Sequence, residues 1–195
     1  MNRRLILTAL ALLAPLAPLS AATSLEQAQT RLRAAVDEVL ALARQAKDKP
    51  TLMQRIGPVL NKHVSFDVMT RRAIGPGWRQ FKPEEQKKAI AAFTRIIIRS
   101  YGSKFTIGVQ PEVKYQSAAA TAAGRVDVST ITIYQGSRYS VVYRLEESEG
   151  WRTTDVVIEG VSMVANYRSQ FDPVFKRGGV AAVLSSLEQS AARSE

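Results

Sequence analysis

The stretch GRVDVSTITIYQGSRYSVVYRLEESEGWRTTDVVIEG, residues 124–160, decides the architecture, because its apolar residues recur at alternate positions. Tyr139, Val141, Tyr143 and Leu145 fall on one face of an extended chain. Turns are signalled at Gly124, Gln135-Gly136-Ser137 and Glu149-Gly150. The pattern predicts strands at 125–134, 138–146 and 151–158, preceded by one near 112–117. Within the 125–134 run the apolar positions pass from Val126 and Val128 to Ile131 and Ile133. That change of parity predicts a bulge or a bend near Ser129-Thr130. Consecutive strands with short loops make an antiparallel meander, which needs cover on at least one face.

The cover lies on either side of this stretch. Ser24 and Gln27 read as a capping box, and Leu25, Ala28, Leu32, Ala35, Val36, Val39 and Leu42 follow as one helical stripe. Asp48-Lys49-Pro50 stops that helix. Residues 51–62 form a weaker helical stretch, broken or shifted at Gly57-Pro58. A short helix is expected over Phe66–Ile74, then a turn at Gly75-Pro76-Gly77. Pro83, Glu84 and Glu85 open the clearest helix, with Ala89, Ile90, Phe93, Ile96, Ile97 and Tyr101 on one side. After the strands, Met163, Val164, Tyr167, Phe171 and Val174 mark another helix, and Val180, Val183, Leu184 and Leu187 a closing one. Helices, a four-stranded antiparallel sheet, then helices again make an α+β fold.

The N-terminus reads differently. Arg3 and Arg4 precede an apolar run from Leu5 to Leu13, and Ser20-Ala21-Ala22 supplies a small-residue exit. This is the layout of a cleaved secretory signal over residues 1–22. The run is shorter than the roughly 20 apolar residues of a membrane span, and Pro15 and Pro18 interrupt it. No cysteine follows it, so no lipid can be attached there. The rest, 23–195, is long enough for one sizeable core.

Composition removes much catalytic chemistry. With no cysteine there is no disulfide, thiol nucleophile or thiolate-held metal, and His63 is the single histidine. Gly160-Val161-Ser162-Met163-Val164 resembles a nucleophile elbow only loosely, lacking its second glycine and a following acid–histidine pair. Asp155 and Glu159 stand four apart, a spacing that usually marks solvated side chains. Nine basic residues from Arg71 to Lys104 face only Glu84 and Glu85. They suit a solvated helix face, or docking to an acidic partner or anionic headgroups. All 14 aromatic residues lie at or after Phe66. They either fill a core or line a cavity for an apolar ligand, and composition does not separate the two.

Three stretches together resemble one family. They are Phe66-Asp67-Val68-Met69-Thr70-Arg71-Arg72-Ala73-Ile74-Gly75 with Trp78-Arg79-Gln80 and Pro83-Glu84-Glu85-Gln86; Phe93 through Ile98 to Tyr101; and Trp151 to Phe171, containing Ile158-Glu159-Gly160-Val161-Ser162 and Asn166-Tyr167-Arg168. The chain is similar over most of its length to the MlaC family, also called toluene-tolerance auxiliary components. Lys82 departs from the pattern, standing where the helix cap often carries Thr or Ser.

The resemblance implies a curved sheet with covering helices, like the nuclear-transport-factor cone, and an added helical subdomain. It implies a periplasmic phospholipid carrier, with residues 23–195 as a single lipid-binding domain and no enzymatic activity. Its partners would be a glycerophospholipid, an inner-membrane ABC transporter with its substrate-binding subunit, and an outer-membrane lipoprotein–porin complex. No cofactor, metal or nucleic acid is expected, and the carrier would act as a monomer. Lipid contacts are expected from Val161, Met163, Val164 and Tyr167 after the sheet, with Val161 and Met163 foremost. Val126, Val128, Val141, Tyr143 and Val157 would contribute from strands, and Met69, Ile74, Phe93, Ile97 and Tyr101 from the middle helices. Arg79, Arg99 and Arg152 would meet a headgroup or partner. Two other readings stand beside this one: a periplasmic chaperone or binding module for another hydrophobic ligand, and a hydrolase using Ser162.

Overall fold

The computed structural model describes residues 19–102 and 106–193; the predicted signal segment lies largely outside them. Helices α1 (Leu19–Gln45), α2 (Lys49–His63), α3 (Phe66–Ile74) and α4 (Pro83–Gly102) precede the sheet, with a 3-10 turn at Gly75–Gln80 between the last two. Strands β1 (Glu112–Ala122), β2 (Arg125–Tyr134), β3 (Ser137–Ser148), β4 (Gly150–Ile158) and β5 (Val161–Ser162) pair in chain order, all antiparallel. Helix α5 (Met163–Arg193) closes the chain and breaks at Gly178 and Gly179, so it is two helical pieces as the apolar spacing predicts. The α+β meander expected from residues 124–160 is the one observed.

Several local expectations are corrected. Helix α1 runs through Ser24 rather than starting there, since the alanines before it favour helix. Helix α2 is continuous across Gly57-Pro58. Proline forgoes one backbone hydrogen bond there, and burial of Leu52 and Ile56 on the inner side holds the helix together. Asp48 caps α2 instead, accepting from the Thr51 amide at 2.8 Å. At α4, Lys82 lacks a capping oxygen, but Glu85 accepts from the Lys82 amide at 2.7 Å, half of a capping box.

In the sheet, β2 keeps its parity. Thr130 is buried in line with Val126 and Val128, and its hydroxyl donates to the Val141 carbonyl at 3.0 Å. A polar residue therefore holds an inward position without cost, and the β2–β3 register runs unbroken through Ser129-Thr130. The irregularity sits opposite, on β1, where Gln116 and Ser117 together face Ser129. Past it β1 continues to Ala122, beyond its predicted end. The fifth strand was too short to carry a period. It follows a two-residue turn, Glu159-Gly160, with both φ angles positive; Gln135-Gly136 makes the same kind of turn between β2 and β3.

Three apolar clusters result. Helix α1 lays Ala28 and Leu32 on Val126, Val128, Leu145 and Trp151 of the sheet. Helices α1 and α2 join through Ala43, Ala46, Leu52 and Ile56. Helices α3, α4 and α5 bury a third cluster around Phe93, Met69, Phe171 and Leu187. The segment between α2 and α3 is tied to the sheet by the Ser65 amide, which donates to the Thr153 carbonyl at 2.9 Å.

Candidate functional site

Where the three clusters meet, none fills the space. Helix α1 offers Leu32, Ala35, Val36, Val39 and Leu40, and α2 offers Ile56, Leu60 and His63. Phe66 and Met69 of α3, Ile97, Ile98 and Tyr101 of α4, and Val113, Thr132, Tyr143, Thr153 and Val156 of the sheet complete the wall with Met163. The cavity measures about 240 Å³. It adjoins an outer groove of about 700 Å³ that runs along Tyr139, Val141, Ile158 and Val161 to Tyr134, Gln135 and Pro111. Five residues belong to both walls: Tyr101, Thr132, Tyr143, Val156 and Met163. Together the two spaces match the volumes of pockets that take apolar ligands, roughly 300–1,000 Å³.

The electrostatics are as telling as the shape. Among the described residues, no Lys, Arg, Asp or Glu lines either space. Burial pushes the Tyr143 phenol up to about 12, and raises that of Tyr101 as well. Both hydroxyls therefore stay protonated. His63 is buried and donates through Nε2 to Glu38 Oε2 at 2.8 Å, while Lys62 reaches the same oxygen at 3.1 Å. These bonds draw the end of α2 onto α1.

The charged chemistry sits on the opposite face of the sheet. Arg144 bonds Asp155 at 3.0 Å and lies 3.7 Å from Asp127, and Arg72 and Arg125 share Glu146 at 2.7 and 3.3 Å. Asp155 is not a solvated acid as its spacing suggested; it is buried and fully engaged. It accepts from the Ser162 hydroxyl at 2.6 Å and from the Val156 and Val164 amides at 2.9 and 3.1 Å. Ser162 in turn accepts from the Ala165 amide at 3.0 Å. Ser162 is thus the N-cap of α5, its hydroxyl bonded within the fold, and His63 is bonded to Glu38 instead. The Ser162 hydroxyl is committed to Asp155 and the Ala165 amide, and the single histidine to Glu38.

Of the residues singled out from sequence, Met69, Ile97, Tyr101, Val141, Tyr143, Val161 and Met163 meet around the cavity and groove. The others are placed elsewhere. Val126 and Val128 lie under α1. Ile74, Phe93 and Tyr167 pack in the α3–α4–α5 cluster, and Phe93 meets the Tyr167 ring at 5.0 Å. Val157 points to the other face from Val156, and Val164 borders the charged groove. Among the arginines, Arg79 is exposed, Arg99 donates to the Ala191 carbonyl at 2.8 Å, and Arg152 stands beside Glu146 in the sheet. None of the three lines the cavity or groove. The reading missed the α1 and α2 contributions, although the helical stripe through Leu32, Ala35, Val36 and Val39 is plain in the sequence.

Among the described residues no helix is long and apolar enough to cross a membrane, and no group of three or more potential ligands could hold a metal ion. The family model described as MlaC protein matches residues 33–189. A solved structure of a phospholipid-binding protein from Ralstonia solanacearum, in complex with a phospholipid, is similar with a TM-score of 0.79. The two chains are 28% identical, over 86% of this chain and 98% of that one. No curated protein matches the sequence.

Proposed function

The chain belongs to the MlaC family, and from that premise we propose that it is a phospholipid carrier of the periplasm. It takes a glycerophospholipid into the cavity and groove and shuttles it between an outer-membrane lipoprotein–porin complex and an inner-membrane ABC transporter. The observation that carries this reading is the cavity itself. Three apolar clusters converge on a space that no charged residue among those described lines, and it adjoins a longer groove. The phospholipid held by the similar Ralstonia solanacearum protein supports the same ligand class.

The energetics suit such a task. Each methylene withdrawn from water is worth about 0.8 kcal/mol, so two tails of about 30 methylenes are costly to leave bare by roughly 25 kcal/mol. A carrier needs to hide them and no group to break a bond, so we assign it no catalytic residue. Residues 1–22 would direct export and be removed, and 23–195 would form one lipid-binding domain. Met69, Ile97, Tyr101, Val141, Tyr143, Val161 and Met163 would touch the lipid, together with the inner sides of α1 and α2.

Organic extraction of the purified protein, followed by mass spectrometry, tests the reading. Diacyl phospholipid near one molecule per chain is the expected result. Extraction of a different hydrophobic compound, with no phospholipid taken up on incubation with vesicles, would overturn it in favour of another ligand class.

A further inference from the structure

The five residues shared by the cavity and the groove form a neck, and three of them carry hydroxyls: Tyr101 from α4, Thr132 from β2 and Tyr143 from β3. Thr132 lies opposite Tyr139 in the β2–β3 register, and Tyr139 shares a face with Tyr143, so both strands present their hydroxyl residues to the same side. None of the three side chains makes a hydrogen bond among the described residues. Thr130, two residues before Thr132 on that same face, satisfies its own hydroxyl on the Val141 carbonyl. A hydroxyl in apolar surroundings favours a partner. The described residues of the walls include no Lys or Arg to meet a phosphate, so the partner that suits these hydroxyls is a neutral acceptor.

Resting on the phospholipid reading above, we propose that Tyr101, Thr132 and Tyr143 receive the ester carbonyls of the lipid, so that the protein selects its ligand by ester linkage rather than by headgroup. Tails pass inward into the cavity or along the groove, the glycerol esters stay at the neck, and the phosphate remains where water reaches it. An ester carbonyl accepts hydrogen bonds from these donors; an ether-linked lipid of the same length offers only a weak acceptor there. Neutral hydrogen bonds of this kind shift an affinity by several-fold each.

The test compares dipalmitoyl phosphatidylglycerol with its dihexadecyl ether analogue as competitors for a fluorescent phospholipid on the delipidated protein. The diester is expected to compete about tenfold better. Exchanging its headgroup for phosphatidylethanolamine should change competition by less than about twofold, since among the described residues no charged side chain lines the walls. Tyr143→Phe and Thr132→Val should each shrink the ester preference. Tyr115→Phe removes a buried unpartnered hydroxyl outside both walls and should leave the preference intact. If Tyr143→Phe does not fold, Tyr101→Phe and Thr132→Val carry the same comparison. Equal competition by diester and diether lipids overturns the assignment and leaves the phospholipid reading standing. Failure of both to compete overturns the two together.

Discussion

The cluster among α3, α4 and α5 and the space bounded by α1, α2 and the sheet draw on similar apolar residues, yet one is solid and the other hollow. In the solid region Phe93 is wholly buried, its ring 5.0 Å from Tyr167 and 6.2 Å from Phe171. Gly77 has no side chain to spare there: a Cβ would stand 2.7 Å from the Phe175 ring. In the hollow region, α1 and α2 bring only Ala, Val, Leu, Ile and His63, because the first aromatic residue of the chain is Phe66. Leu32 of α1 reaches the sheet, but the short aliphatic side chains beyond it close a wall and leave space in front of them. The lesson is that a hollow here is made by withholding rings from one side, not by adding special residues.

The contrast can be broken by truncation. Phe93→Ala should cost roughly 3–5 kcal/mol in urea unfolding, because its packed neighbours cannot collapse into the gap. Leu40→Ala, on the hollow side, should cost less than about 2 kcal/mol, since that side chain already borders open space. Equal losses would mean the two regions are packed alike.

The join between the solid region and the sheet gives the next largest effect. Asp155→Ala strips Arg144 of a buried partner and two amides and the Ser162 hydroxyl of an acceptor. A loss of about 3 kcal/mol is expected by the same unfolding measurement. Ser162→Ala should cost less, about 1 kcal/mol, as the loss of one helix cap.

Filling the hollow should separate stability from binding. Ala35→Phe adds a ring to the α1 wall, and the thermal midpoint should hold within a few degrees while extractable phospholipid falls by more than half. Retained lipid in that variant would place the ligand elsewhere.

The smallest effect concerns acid. The hydrogen bond from His63, with help from Lys62, holds the Glu38 carboxyl below its ordinary value of 4.5. A carboxyl depressed in the fold stabilises it above that ordinary value, and the contribution is lost as pH falls through the lowered one. Glu38→Gln should therefore melt lower than the unaltered protein at neutral pH, with the gap closing on acidification below 4.5. The exposed carboxyl makes this a modest shift.

Much of the fold was legible because period and turn chemistry agree from residue 124 to 160. The strands of β2, β3 and β4, the span of α3 and the break at Gly178-Gly179 all follow from local pattern. What local pattern could not show was pairing. Thr130 reads as a parity fault until Val141 supplies its acceptor, and the extra residue then appears on the partner strand. The site was legible by element more than by residue. Phe93, Tyr167 and Met163 share helical stripes of similar character, and only the third dimension separates a ring locked among rings from a methionine at a cavity wall. For the same reason Val156 and Val157, adjacent in sequence, divide between the cavity and the far face.

The engaged carboxylate of Asp155 has a mechanical consequence. It fixes the first turn of α5 to β4, and Met163 begins that turn, so this border of the opening is anchored. Across from it, α1 and α2 are fastened to each other by small side chains and by the Glu38 contacts at their surface. One edge of the opening is thus pinned by buried polar bonds and the other mainly by apolar packing, two kinds of fastening on a single mouth.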